Sequence, residues 1–381
     1  MSGRAMIHVQ HLLGVGHLSR AARLANALDR AGMDVALVSG GREAPQIVTR
    51  PGVRRLQLPS LRATDATFQT LVDQDDRPID DRFRRDRCHR MLNQYEDFRP
   101  ELLVTELFPF GRRQLRFELL PLLEMAHRDR HCHTIACSVR DIVNHRPRRQ
   151  AEMLEWLNRY YRRVVVHGDP DLLPLQDSAP FLGHFRGRVL HTGYLTDAEP
   201  VAARPQPGEV LVSAGGGAVG AALFAAAAAA RQHSRLGDLV WRFRHGADVP
   251  PATVALWRRM AGPGAIFEPV AADFAERLAK ARLAIGQIGY NTAAELLATG
   301  TPAVIVPFAG GGETEQTRRA ASFAAMGYPV IAETDLTPER LAAAVDTADH
   351  DAEGRVRNAR QHVQLDVGSR AAKALMRGVA P

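Results

Sequence analysis

The sequence predicts an α/β protein made of two doubly wound halves of similar size. Three observations carry that reading. Strand-like and helix-like segments alternate almost from end to end. A proline- and alanine-rich stretch, TDAEPVAARPQPG at 196–208, interrupts the alternation once. In each half a buried strand runs into a glycine-rich turn that opens a helix. The length agrees, since 381 residues exceed one core at about 150 residues per domain. Repeated strand–helix–strand units imply parallel sheets covered by helices on both faces. The expected division is 1–200 and 208–381, with the last helix free to return to the first half. Ligands are expected at the carboxyl ends of the strands, in a central cleft that the two halves face.

The first half begins with a buried strand at 6–12. Residues 17–30 have helical periodicity, with Leu18, Ala21, Ala22, Ala25 and Leu28 on one side, and Gly32 ends the helix. Strands follow at 34–39, 53–58, 102–106, 134–139 and 163–167, with helices at 84–98, 112–127 and 149–160. After the linker, strands are expected at 209–213, 239–243, 265–270, 283–286 and 303–306. Helices fall at 218–231, 252–260, 272–281 and 292–299, and two more at 338–347 and 369–376 end the chain.

The 45% apolar and 24% charged content is that of a soluble globular protein. The net charge of +7 favours anionic partners, and all basic residues except Lys280 and Lys373 are arginines. The runs RFRRDRCHR at 82–90 and RPRR at 146–149 read as solvated helix faces. Arg84, Arg85 and Arg87 are candidates for contact with an anionic membrane surface. Nucleic acid is not an expected partner, because no aromatic stacking motif or zinc pattern accompanies the arginines. Cys88, Cys132 and Cys137, an odd set without metal spacing, suggest reduced thiols in the cytosol. The N-terminal segment is not patterned as a signal peptide, and no window reaches the ~18 apolar residues of a span. The expected location is cytoplasmic, with the inner membrane as a resting surface. No cofactor and no metal are expected; His131-x-His133 has no further partner in sequence.

Three segments carry chemistry. The first is Gly14-Val15-Gly16-His17-Leu18-Ser19-Arg20, between the first strand and first helix. Its glycines let a ligand approach the backbone, and the helix amino terminus offers N–H groups and partial positive charge. His17 at its lip is either a base working near neutral pH or a residue that packs the turn. The second is Ser213-Ala214-Gly215-Gly216-Gly217, either a phosphate cradle of backbone amides or a tight strand–helix turn. The third is the longest: Gly286-Gln287-Ile288-Gly289-Tyr290-Asn291-Thr292-Ala293-Ala294-Glu295, then Gly300-Thr301-Pro302, Val306-Pro307-Phe308 and Gly310-Gly311-Gly312-Glu313-Thr314-Glu315-Gln316. Two polar strand ends there each open a helix. Glu295 offers a carboxylate to a ribose diol, and Glu315 and Gln316 suit sugar hydroxyls. At strand ends of the first half, Glu106 and Asp141 are candidate bases or acceptor contacts. Asn144, His145 and His167 occupy similar places.

The third segment resembles the donor-binding region of family 28 glycosyltransferases, typified by the bacterial enzyme that adds N-acetylglucosamine to lipid I. That resemblance implies a GT-B fold with two Rossmann-like domains. It implies ribose at Glu295, donor sugar at Glu315 and Gln316, diphosphate near Gly215, Gly216 and Gly217, and the nucleobase at Val270. The turn Gly289-Tyr290-Asn291-Thr292 belongs to the same motif, and Gly14 and Gly16 resemble that family's N-terminal glycine loop. The family usually has glutamine where Glu315 stands and asparagine where Arg319 stands. GVGHLSR is also similar to the UDP-sugar hydrolase of pseudaminic acid synthesis, which uses its loop histidine to activate water. The implied activity is metal-independent, inverting transfer of a sugar from a nucleotide-sugar donor, UDP-linked by preference. The acceptor is a hydroxyl of a glycan, a lipid-linked sugar or a small metabolite. Hydrolysis at the same site and non-catalytic nucleotide-sugar binding are the alternatives. His17 is the first choice of base, with Glu106 or Asp141 behind it.

Overall fold

The computed structural model describes residues 3–65, 68, 70–144, 147–197, 208–214, 220–246, 249–271, 273–310, 314–350 and 363–377. The chain separates into two compact units. One is Met1–Leu195 with Gln364–Pro381, and the other is Thr196–Val363.

The first unit runs β1 (Arg4–Val9), α1 (Gly16–Arg30), β2 (Asp34–Ser39), β3 (Val53–Gln57), a small hairpin of β4 (Arg62–Ala63) and β5 (Leu71–Val72), and α2 (Asp81–Phe98). Next come β6 (Leu102–Glu106), α3 (Arg116–Arg128), β7 (Thr134–Arg140), α4 (Gln150–Tyr160), β8 (Arg163–His167), β9 (Arg188–His191) and β10 (Tyr194–Leu195). Seven strands form one parallel sheet in the order β3-β2-β1-β6-β7-β8-β9. Alternate residues of β1, β2, β6, β7 and β8 enter different cores, as expected for a sheet covered on both faces. Ala5, Ile7 and Val9 pack with Leu18, Ala21 and Ala25 of α1. Met6 packs with Met91, Leu119 and Leu157 of α2, α3 and α4.

Residues 364–377 belong to this first unit, not to the second half in which sequence order puts them. β16 (Leu365–Asp366) pairs in parallel with β10. The last helix of the chain, α11 (Ser369–Met376), buries Ala371, Ala372 and Leu375 in the same cluster as α1. Asp366 caps it, its carboxylate accepting from the backbone N–H of Gly368, Arg370 and Ala371 at 2.9, 3.0 and 2.8 Å. The hairpin β4–β5 and the strand β9 have no counterpart in the sequence reading. Two-residue strands carry no periodicity, and β9 (RVLH) is a part-exposed edge without a clear apolar alternation.

Arg87 is fully buried, so it is not a membrane contact as its arginine-rich surroundings suggest. Its guanidinium bonds Glu118 of α3 through Nε at 2.6 Å and Nη2 at 3.1 Å. It also donates to Gly40 O at 3.0 Å, Gln10 Oε1 at 2.7 Å and Pro59 O. The neighbouring Arg84 pairs with Asp81, and Arg85 is exposed. Among the described residues no helix is long and apolar enough to cross a membrane.

The second unit repeats the winding. Its elements are β11 (Val210–Ser213), α5 (Ala221–Ala230), β12 (Trp241–His245), α6 (Pro251–Ala261), β13 (Ala265–Pro269) and α7 (Phe274–Lys280). β14 (Leu283–Gly286), α8 (Tyr290–Thr299), β15 (Ala303–Ile305), α9 (Glu315–Ala325) and α10 (Pro338–His350) follow among the described residues. The parallel sheet has the order β13-β12-β11-β14-β15. In both sheets the order reverses at the first strand of the unit. The crevices at those reversals, beside the carboxyl ends of β1 and β6 and of β11 and β14, are where open α/β sheets bind ligands.

Candidate active site

His17 is the second residue of α1, and Glu106 is the last residue of β6. The strand order makes β1 and β6 neighbours, so the helix that follows one meets the end of the other. His17 Nδ1 lies 3.0 Å from Glu106 Oε1. The Arg20 guanidinium, one turn along α1, bonds the same oxygen. Ser138, paired in register with Glu106 on β7, donates its hydroxyl to Oε2 at 2.8 Å. Arg20 also approaches His17 Nδ1 at 3.3 Å. Glu106 is nearer and only accepts, so Nδ1 carries the proton and gives it to the carboxylate. The Nε2 lone pair is then free for chemistry, and the side chain is 15% exposed.

The electrostatics agree with this division of roles. Burial alone would push the Glu106 carboxyl up. The Arg20 guanidinium and the bonds from His17 and Ser138 instead hold it down at about 2. Glu106 is therefore ionised and ion-paired with Arg20. Burial pushes the His17 imidazole well below its ordinary range; the charges of Arg112, Arg140 and Arg20 add to this, and the Glu106 bond opposes it. A neutral imidazole bonded through Nδ1 to a buried carboxylate can accept a proton at Nε2.

Asp141 does not join this pair. It follows β7 and is fully buried, its Oδ2 accepting from the Tyr194 hydroxyl at 2.8 Å and its Oδ1 from Ile142 N at 2.9 Å. It ties β10 to the sheet and has no exposed oxygen with which to take a proton, so its reading as a reserve base is corrected. Asn144 is exposed, and His145 lies outside the described residues. Gly14 sits in the loop before α1 with open space where a Cβ would go, and Gly16 is the first residue of α1. Arg112, Arg140 and Ser138 are absent from the sequence reading of the site. The available signal for Ser138 was a hydroxyl at a strand end one strand over from Glu106.

In the second unit, β11 and β14 end side by side, Ser213 opposite Gly286. A Cβ at Gly286 would lie 2.6 Å from Ser213 O, so only glycine lets the strands approach this closely here. Gly289 precedes α8 in extended conformation with open space around its Cα, and the first turn, Tyr290, Asn291 and Thr292, has no acidic side chain. Tyr290 is buried, and Glu295 lies farther along the same helix, 6% exposed. Val270, just past β13, donates its N–H to His245 O at 2.9 Å. Gly215, Gly216 and Gly217 lie outside the described residues.

Gln316 has a role that the sequence reading did not assign. Its Oε1 accepts from Ile288 N and from Phe308 N, both at 3.1 Å, and so pins together the loops that follow β14 and β15. Its Nε2 takes no part in this bridge. Arg319, one turn further along α9, is buried and donates to Ile288 O at 2.8 Å. Glu315 is the first residue of α9 and is 2% exposed.

The buried titratable groups predict an acid-sensitive fold. Burial pushes His167 down to about 3 from 6.5, and His17 shifts in the same direction. Below pH 6.5 the unfolded chain binds protons that the folded chain refuses, so stability falls as pH falls. Glu106 adds a loss of the same sign between 4.5 and about 2, its folded carboxyl refusing protons that the unfolded one takes. Each such group contributes about 1.4 kcal/mol per pH unit within its window. Thermal melts should therefore decline from pH 7 to pH 5. A flat profile over that range would show that these histidines are not held neutral.

Two Rossmann-like units with switch-point crevices define the GT-B architecture, the fold of a large class of glycosyltransferases. The comparisons agree. Residues 257–376 match the glycosyltransferase family 28 C-terminal domain. A Rhizobium leguminosarum bv. trifolii UDP-N-acetylglucosamine–N-acetylmuramyl-(pentapeptide) pyrophosphoryl-undecaprenol N-acetylglucosamine transferase is 42% identical over 91 residues. That alignment covers 24% of this chain and 24% of that protein, about a quarter of its length. Two solved structures share the fold over nearly the whole chain. The calicheamicin glycosyltransferase CalG4 superposes with a TM-score of 0.65 at 18% identity, covering 100% of both chains. MurG of Acinetobacter baumannii does so with a TM-score of 0.60 at 16% identity, covering 98% of this chain and 99% of its own.

Proposed function

We propose that the protein is an inverting glycosyltransferase that uses a nucleotide-sugar donor and activates an acceptor hydroxyl with His17. The observation that carries the reading is the His17–Glu106 pair, with Nδ1 bonded inward at 3.0 Å and Nε2 left for the substrate. His17 Nε2 takes the proton of the acceptor hydroxyl as its oxygen bonds the anomeric carbon. The carbon–oxygen bond to the diphosphate breaks, and its electron pair leaves with the nucleotide. A single displacement of this kind inverts the anomeric centre. Glu106 stabilises the imidazolium without taking its proton, as orienting carboxylates do in related dyads.

The leaving diphosphate is assigned to backbone N–H groups at helix amino termini. These are positive, preorganised and able to stabilise an oxyanion without a metal. The open turn at Gly289, immediately before α8, supports that assignment. The rate is expected to persist in the presence of a metal chelator. A UDP-linked donor is preferred because the partial relative quoted above is named for one. The acceptor is a hydroxyl of a glycan, a lipid-linked sugar or a small metabolite.

Glu295 is proposed to accept hydrogen bonds from the ribose diol. Glu295→Ala should weaken nucleotide binding by about 1.5–3 kcal/mol, the range of a hydrogen bond to a charged group. Gln316→Ala should weaken the free nucleotide as well as the nucleotide sugar, because it also releases Ile288 and Phe308. Titration calorimetry with both ligands reads both effects. Unchanged nucleotide affinity in Glu295→Ala would remove the ribose assignment.

A further inference from the structure

The bond from Ser138 to Glu106 is one link of a longer chain. Ser138 Oγ lies 3.0 Å from His167 Nε2, and His167 Nδ1 lies 3.1 Å from Thr192 Oγ1. The side chains cross from β7 to β8 to the residue after β9, and all three are at most 1% exposed. Their polarity can be read from one end. An ionised carboxylate only accepts, so Ser138 must give its single proton to Glu106 Oε2. The Ser138 oxygen must then accept from His167, whose proton sits on Nε2. His167 Nδ1 is left as an acceptor and takes the Thr192 hydroxyl, which lies farther from its other acceptors, Gly193 O at 3.3 Å and Val166 O at 3.4 Å. On the other side, Glu106 Oε1 accepts from His17 Nδ1 at 3.0 Å.

We infer that Ser138, His167 and Thr192 are positioning residues, a polarised hydrogen-bond chain that fixes Glu106 and through it holds His17 with Nδ1–H inward and the Nε2 lone pair outward. The inference deepens the reading of His17 as a base and rests on it for its catalytic consequence. The chain is not a proton wire. It is buried throughout and ends against backbone carbonyls, so it has no outlet to solvent. The charged and titratable groups around it agree with neutral histidines. Arg20 from α1, Arg112 from the loop after β6 and Arg140 at the end of β7 all oppose an imidazolium at His17, and Arg20 does so at His167 too. Glu106 favours the charged form at both, and Cys137 on β7 is a thiol held neutral by burial.

The test is nitrogen-15 NMR of the full chain labelled in histidine, with the pH profile of turnover beside it. His17 should show the Nδ1–H tautomer and His167 the Nε2–H tautomer, and His167 should not titrate between pH 5 and pH 8 by these shifts. Ser138→Ala removes a donor from Glu106 and leaves more of its charge to His17. The acid limb of the kcat/KM profile should then move to higher pH, and Ser138→Thr should restore it. Thr192→Val takes away the donor to His167 Nδ1, loosens the ring and should move the limb the same way. An Nδ1–H tautomer at His167 in the unmutated protein, or a Ser138→Ala profile that coincides with the parent, overturns the inference. Should the protein turn over no nucleotide sugar, the tautomers still decide the chain, while the transferase reading alone fails.

Discussion

His17→Ala should lower the rate of sugar transfer by about a hundred- to ten-thousand-fold, the usual cost of losing a general base. Affinity for the free nucleotide should stay near that of the parent, because the proposed nucleotide contacts are in the second unit. The fold should tolerate the change. His17 is part-exposed, and the buried Glu106–Arg20 pair survives its removal. Steady-state kinetics with calorimetry on the same preparation separates the two effects. A loss confined to KM, with kcat unchanged, would mean that His17 binds substrate and does not take the proton.

The largest effect on stability is expected at Arg87. Removing one partner of a buried ion pair costs about 3–5 kcal/mol, because the other is left charged and unpaired. Arg87 and Glu118 are both fully buried, and Arg87 also serves the carbonyls of Gly40 and Pro59. Arg87→Met should therefore cost at least that range in urea unfolding, a large share of a typical total of about 5–15 kcal/mol. The double variant Arg87→Met/Glu118→Leu should recover part of the loss, since an apolar pair of similar volume avoids the stranded charge. Equal instability in single and double variants would show that the carbonyl contacts, not the ion pair, dominate.

The strands were legible because parallel sheets covered on both faces require continuous apolar runs. Residues 34–39, 102–106, 163–167 and 283–286 stand where those runs predict them. His17 and Glu106 were each legible as polar residues at the mouth of a strand. Their union was not. It depends on the reversal that places β1 beside β6, across 89 residues of sequence, and no local pattern carries that distance. Asp141 shows the opposite failure, a polar strand-end residue whose carboxylate turns inward to Tyr194 from a strand more than fifty positions later. Arg87 looked like one of many surface arginines because its partner Glu118 belongs to another helix. Gln316 looked like a ligand contact because a side-chain amide bonds a backbone N–H as well as it bonds a sugar.

Release of nucleotide from a nucleotide sugar, measured with and without a hydroxyl acceptor, tests the central claim most directly. A base that waits for an acceptor should leave the donor almost intact in plain buffer, because a transferase gains by excluding water. Adding the cognate acceptor should stimulate release strongly and yield a glycoside of inverted configuration. A hydrolase must position water itself and should turn over without acceptor at roughly 1–1000 per second. Rapid release of free sugar from the donor alone, unaffected by any acceptor, would contradict the account and assign His17 to the activation of water.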